Sequence, residues 1–182
     1  MKNTLFTTII CCIFGIQIFA QTQHSCCSQP STQEFAMLGN DKTFSASHLA
    51  PLPFKYESPK GKMIKLTCQD NVNASAFEVK SEKPTKNYLF VFQEWWGLND
   101  YIKQEAEKLQ NELGDVTVIA LDLYDGKVAT NPEEAGKYMS EAREERIKAI
   151  INAAINYAGK DAKIQTIGWC FGGGWSLQAS IL

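Results

Sequence analysis

Apolar positions recur along this chain in two rhythms. Residues 63–68 alternate Met63, Lys65 and Thr67 with Ile64, Leu66 and Cys68, the period-two pattern of a half-buried strand. Residues 75–79 predict a partner strand across the turn-rich stretch Asp70-Asn71-Val72-Asn73. Residues 88–92 are apolar throughout, which predicts a strand buried on both faces. Residues 116–120 and 164–168 predict two further strands. Between these runs the period lengthens. Ile102, Ala106, Leu109 and Leu113 recur at helical spacing behind a cap at Asn99 or Asp100, with Gly114 as the stop. Pro132 opens one long helix with the stripe Ile147, Ile150, Ile151, Ala154, Ile155 and Ala158, and Gly159 ends it. A small, apolar run over 175–182 predicts the last helix. A hairpin or meander followed by β-α-β-α-β-α predicts an α/β fold, a mostly parallel sheet with helices on both faces.

The region ahead of the first strand reads differently. Residues 21–59 are polar and punctuated by Pro51, Pro53 and Pro59, which block helix there; they predict an N-terminal extension wrapping toward the sheet. Residues 1–20 have the form of a signal peptide: Lys2, then an apolar run over 5–19 broken by Thr7, Thr8 and Gln17, then the small Ala20. Cleavage is expected after Ala20, giving a secreted or periplasmic protein. The run falls short of the ~20 residues a spanning helix needs, so no stable membrane insertion is expected after cleavage. Residues 60–182 remain as the one folded domain.

Composition narrows the partners. The net charge is -2 and Lys and Arg form no basic run, so no nucleic-acid partner is expected. Of the six cysteines, Cys11 and Cys12 leave with the signal; Cys26, Cys27, Cys68 and Cys170 remain in an oxidising compartment. Adjacent Cys26 and Cys27 bridge each other only with strain, so pairing with Cys68 or with another chain is the easier geometry. His24, Cys26 and Cys27 fit no regular zinc spacing, and neither a metal nor a cofactor is expected.

The chemistry concentrates at strand ends. Gly168-Trp169-Cys170-Phe171-Gly172-Gly173-Gly174 has the G-x-Nuc-x-G spacing of a nucleophile elbow, with Cys170 at the centre. A strand turning abruptly into a helix forces the central residue into strained φ/ψ, and neighbours without Cβ let the two elements approach. The sulfur then sits over a helix N-terminus, where free N–H groups favour negative charge. In parallel sheets the loops at the strands' C-terminal ends carry the site; here these are 93–99, 122–128 and 169–174.

Three motifs on those ends, Gln93-Glu94-Trp95-Trp96-Gly97, Asp122-Leu123-Tyr124 and Gly168-Trp169-Cys170-Phe171-Gly172-Gly173, resemble the dienelactone hydrolase family of α/β-hydrolases. The resemblance covers about residues 63–182. It implies an α/β-hydrolase-like sheet and a small-molecule ester or lactone as substrate. It implies Cys170 as nucleophile, Glu94 as the carboxylate contacting the thiol, and the backbone N–H groups of Trp95 and Phe171 as oxyanion hole. Trp96 and Tyr124 are expected to bind substrate, Tyr124 fixing its loop rather than transferring protons. The family also holds a carboxylated substrate with arginines, one of them early in the long helix, where Glu133 and Glu134 stand here; Arg143 and Arg146 fall later. The family's triad is completed by an aspartate and a histidine beyond the elbow. The histidines of this sequence, His24 and His48, lie in the N-terminal extension. The sequence therefore reads as C-terminally truncated, its sheet incomplete just after the elbow. The expectation is an exported cysteine hydrolase that is very weak or inactive as this chain. The alternative is a non-catalytic binding or assembly module.

Overall fold

A computed structural model of the chain describes residues 37–69 and 71–182. Residues 1–20, where a signal peptide is expected, and His24, Cys26 and Cys27 lie outside the described residues. Among the described residues, five strands form one open sheet: β1 (Lys62–Leu66), β2 (Ala74–Val79), β3 (Asn87–Phe92), β4 (Thr117–Leu121) and β5 (Lys163–Gly168). Their spatial order is β1-β2-β4-β3-β5. Only β2 runs against the others, pairing antiparallel with both β1 and β4, while β3 pairs in parallel with β4 and β5. The sheet is thus mostly parallel, as the alternation of elements predicted.

Helices cover both faces. The continuous apolar run of β3 divides by period two. Phe90 and Phe92 join Ile119, Leu121 and Leu66 on one face, under α4 (Glu144–Ala158) and α5 (Phe171–Ala179). Leu89 and Val91 join Phe77, Val79, Val118 and Ala120 on the other, under α2 (Asp100–Leu113). Ile147, Ile150 and Ile151 of α4 are fully buried, each contributing about 1.5–3 kcal/mol relative to exposure. Asn99 is the cap of α2, its Oδ1 accepting from Ile102 N at 3.1 Å. Among the described residues no helix is long and apolar enough to cross a membrane.

Three local expectations are corrected. The single helix from Pro132 is two, α3 (Pro132–Glu141) and α4, because Ala142 and Arg143 are extended. The joint contains neither glycine nor proline. The two halves dock on different surfaces: α4 on the sheet, and α3 against α1 (Lys42–Ser47). A Cβ on Gly136 of α3 would press on the Gly39 carbonyl just ahead of α1, so the backbones meet there. The second correction is α1 itself, a helix inside the polar extension, capped by Asp41, whose Oδ1 accepts from Thr43 N and Phe44 N. The prolines lie after it. The third concerns α2. Leu113 is exposed, while Glu107 and Gln110 are buried. The extension runs over that side of the helix: Ser58 Oγ donates to Glu107, Tyr56 N donates to Asp100 Oδ2 at 3.0 Å, and Phe54 stacks on Tyr101. A strap that brings its own hydrogen bonds can cover polar positions, which apolar periodicity does not reveal.

Candidate active site

Phe92 lies in register with both Leu121 and Gly168. The three segments that follow these residues therefore leave the sheet at one level and side by side. The sheet's pairing, not any local preference, brings the three motifs together.

The turn from β5 to α5 is as abrupt as its glycines suggest. Cys170 is the first residue outside α5, with φ 53° and ψ -121°. For a residue with a Cβ this conformation costs of order 1–3 kcal/mol. The crowding around it explains its neighbours. A Cβ on Gly168 would collide with the backbone of Gly172, and one on Gly172 with the carbonyls of Phe92 and Gln93. Thr166 Oγ1 donates to Ser176 O at 3.0 Å and accepts from Ser176 Oγ at 2.9 Å, pinning α5 to β5 behind the turn. Phe171 and Trp175 are fully buried and anchor the helix in the core.

The other two loops are tied from within. Gln93 is buried, and its Oε1 accepts from Leu123 N at 3.3 Å, joining the loop after β3 to the loop after β4. Asp122 is buried and accepts from Tyr124 N at 3.1 Å and Gly126 N at 2.7 Å. Burial pushes its carboxyl upward, against the pull of those two N–H groups. Arg146 of α4 clamps the same loop with two bonds to Asp125, at 3.0 and 2.6 Å, and donates to the carbonyls of Val72 and Asn73.

Into this frame the structure brings Cys170, Glu94, the N–H groups of Trp95 and Phe171, and Tyr124. Cys170 is exposed as a residue, yet its thiol is partly desolvated. That desolvation pushes the thiol pKa up; hydrogen bonds from Phe171 N–H and Trp95 N–H favour the thiolate, and the Glu94 charge opposes it. Glu94 is half-buried and pushed up by burial, partly offset by the charge of His48. Tyr124 is buried with no hydrogen-bond partner on its hydroxyl, and burial together with the nearby thiol pushes its pKa far up. It therefore stays a neutral phenol. Trp95 is fully buried; Trp96 packs edge-on against it at 4.9 Å in the core and is absent from the lining of the neighbouring cavity. That cavity, of about 700 Å³, lies between the β4 loop and the α3–α4 joint, lined by Tyr124, Tyr138, Lys127, Arg143 and Arg146 among others. Tyr124 is its link to the thiol, and its ring lies 5.6 Å from Phe171.

The structure also brings in a residue that sequence reasoning set aside. His48, just past α1, packs edge-on to Trp95 at 5.3 Å and close over Phe44 at 4.1 Å. No pattern in the polar, proline-rich extension points to it. Cys68, the expected disulfide partner, is buried and free among the described residues.

The Cys170 sulfur thus sits in a strained turn with two backbone N–H groups converging on it. The family model described as "Dienelactone hydrolase family" matches residues 74–182. The chain belongs to the dienelactone hydrolase family. Its structure is an α/β-hydrolase fold. This dienelactone hydrolase family chain is 34% identical over 96 residues to a carboxymethylenebutenolidase-like protein of Aquifex aeolicus (strain VF5), covering 47% of this chain and 41% of that one. It is 32% identical over 100 residues to the protein usf of Aquifex pyrophilus, covering 49% and 42%. The solved structure m3DLH superposes with a TM-score of 0.54 at 25% identity, covering 66% of this chain and 53% of that one. The chain thus spans less than half the length of the curated relatives it matches.

Proposed function

We propose that this family member is an exported hydrolase of small esters or lactones that uses Cys170 as nucleophile. The observation that carries the reading is the meeting of a strained, accessible cysteine with the N–H groups of Trp95 and Phe171. In the proposed reaction the thiolate attacks the substrate carbonyl. The resulting oxyanion takes the two N–H groups as donors, each worth ~3 kcal/mol to such an intermediate. Collapse expels the alcohol, which in a lactone stays attached as a free hydroxyl. Water then hydrolyses the thioester, returning the acid and the thiol. Glu94 stands beside the thiol as its carboxylate partner, and Tyr124 walls the substrate side.

The same geometry supports slow turnover by these 182 residues. A free thiol is only a few per cent ionised at neutral pH, and here desolvation and Glu94 push it further toward the neutral form. Among the described residues, the groups that act on the thiol are the N–H groups of Phe171 and Trp95 and the carboxylate of Glu94. Acylation is therefore expected to be slow at neutral pH. The test is intact mass analysis of the chain incubated with p-nitrophenyl acetate. One acetyl group is expected on Cys170, cleared slowly, and absent in Cys170→Ala. No adduct, or an adduct on Cys68, would overturn the assignment.

A further inference from the structure

The cavity beside the elbow holds a polar group that the protein itself leaves unused. Tyr124 lines the cavity and is only 5% exposed, and its hydroxyl has no hydrogen-bond partner among the described residues. The side chain is held in place. Its backbone N–H donates to Asp122 Oδ1 at 3.1 Å. Its ring lies 5.6 Å from that of Phe171, the residue after Cys170, and 6.2 Å from that of Tyr138, which lines the same cavity. Tyr124 is a neutral phenol, and so a donor. A buried donor without an acceptor is destabilising, and a ligand oxygen that meets it removes the penalty.

The charges of the lining limit what that ligand is. Lys127, Arg143 and Arg146 stand against Asp125, Glu141 and Glu145. Lys127 is paired with Glu141 at 3.3 Å and lies over the Tyr138 ring, and Arg146 is paired with Asp125. The remaining two, Arg143 and Glu145, carry opposite signs. The lining therefore has no net charge with which to select a carboxylate. We infer that Tyr124 is a specificity-determining residue of this site: its hydroxyl donates to an uncharged oxygen, a ketone, ether or hydroxyl, carried by the non-reacting part of the substrate. The substrate class is then an uncharged, oxygenated ester or lactone, not the carboxylated one that the family resemblance implies. A site that buries an unused donor also discriminates against an isostere lacking the acceptor, because binding it leaves the hydroxyl unpaired. The inference deepens the function proposed above and rests on it for the reaction, but the hydrogen bond is also measured without turnover.

The experiment compares acylation of Cys170 by three esters, followed by intact mass. p-Nitrophenyl levulinate carries a ketone in its acyl chain, p-nitrophenyl pentanoate is its hydrocarbon isostere, and mono-p-nitrophenyl succinate ends in a carboxylate. Each rate is divided by that of the same ester with N-acetylcysteine, which removes differences in intrinsic reactivity. The levulinate is expected to be preferred over the pentanoate by about tenfold, and in Tyr124→Phe the ratio should fall to about one. A ratio near one in the wild type, a ratio kept in Tyr124→Phe, or a preference for the succinate ester would overturn the inference. Urea unfolding of Tyr124→Phe is expected at the wild-type midpoint or above, since the hydroxyl it loses has no partner in the free protein; a clearly lower midpoint would show that the hydroxyl is already in use and would also overturn it. The arm without chemistry uses tyrosine labelled with carbon-13 at Cζ, with Tyr124 assigned through Tyr124→Phe. Levulinamide is expected to move the Tyr124 signal further than pentanamide does, and equal or absent movement would count against the inference. If Cys170 takes no acyl group while the Tyr124 signal moves, the reaction falls and the hydrogen bond stands, so the two readings fail separately.

Discussion

At the residue scale the site is a problem of space and charge. Gly172 and Gly173 are neighbours on α5, but their surroundings differ. A Cβ on Gly172 meets two backbone carbonyls that cannot yield, whereas one on Gly173 comes no closer than 3.4 Å to the Gly168 carbonyl. Gly172→Ala is expected to destabilise by about 1–3 kcal/mol through overpacking. Gly173→Ala should lie near neutral or gain up to ~1 kcal/mol from helix propensity. Urea unfolding of the two variants checks the contrast. Charge is read through the thiol. Desolvation and then Glu94 raise its pKa against two N–H donors. Alkylation of Cys170 by iodoacetamide should therefore have its midpoint above the ~8.5 of a free cysteine. In Glu94→Gln the repelling charge is gone and the midpoint should fall, by less than about one pH unit, because the thiol is partly exposed. A midpoint that rises in Glu94→Gln would contradict the assigned geometry.

At the element scale the loops at the strand ends are held by polar ties rather than by their own turn preferences. Asp122 satisfies two N–H groups of its loop, and Arg146 fastens that loop to α4 and to the turn before β2. The Arg146 side chain is only 16% exposed, so its bonds are screened less than those of a surface ion pair. Arg146→Ala leaves the carbonyls of Val72 and Asn73 without this donor and is expected to cost about 1–3 kcal/mol. The change should also loosen the wall that Arg146 and Tyr124 share with the cavity, read as faster amide exchange over 122–128. The largely exposed pair Lys55–Glu57, at 2.7 Å, is the control: Lys55→Ala should fall within ~0.5 kcal/mol of the wild type.

At the scale of the whole molecule, the extension behaves as a strap that closes one side of the α/β unit. It covers Trp95 with Phe44 and His48, stacks Phe54 on Tyr101, and meets the buried Glu107 with Ser58. A chain lacking residues 37–58 should lose about 2–4 kcal/mol of stability from the apolar area uncovered, with a red-shifted tryptophan emission as Trp95 meets water. Unchanged emission would show that the strap does not seat there. Much of this architecture was legible in the amino-acid order. The five strands, the cap at Asn99 and the cysteine between Gly168 and Gly172 follow from local preferences: period-two burial, a side chain that caps its own helix, and a bend that only glycine neighbours permit. The same preferences could not place the break between α3 and α4, which no glycine or proline marks. They could not reveal that Glu107 and Gln110 are buried while Leu113 is not, or that His48 lies against Trp95. Those outcomes depend on surfaces meeting across long separations in the chain. The residues alone determined which groups the molecule has to work with and which elements carry them. The tertiary structure decided which groups meet, because strand register and the path of the strap are fixed only when distant segments compete for the same buried surface.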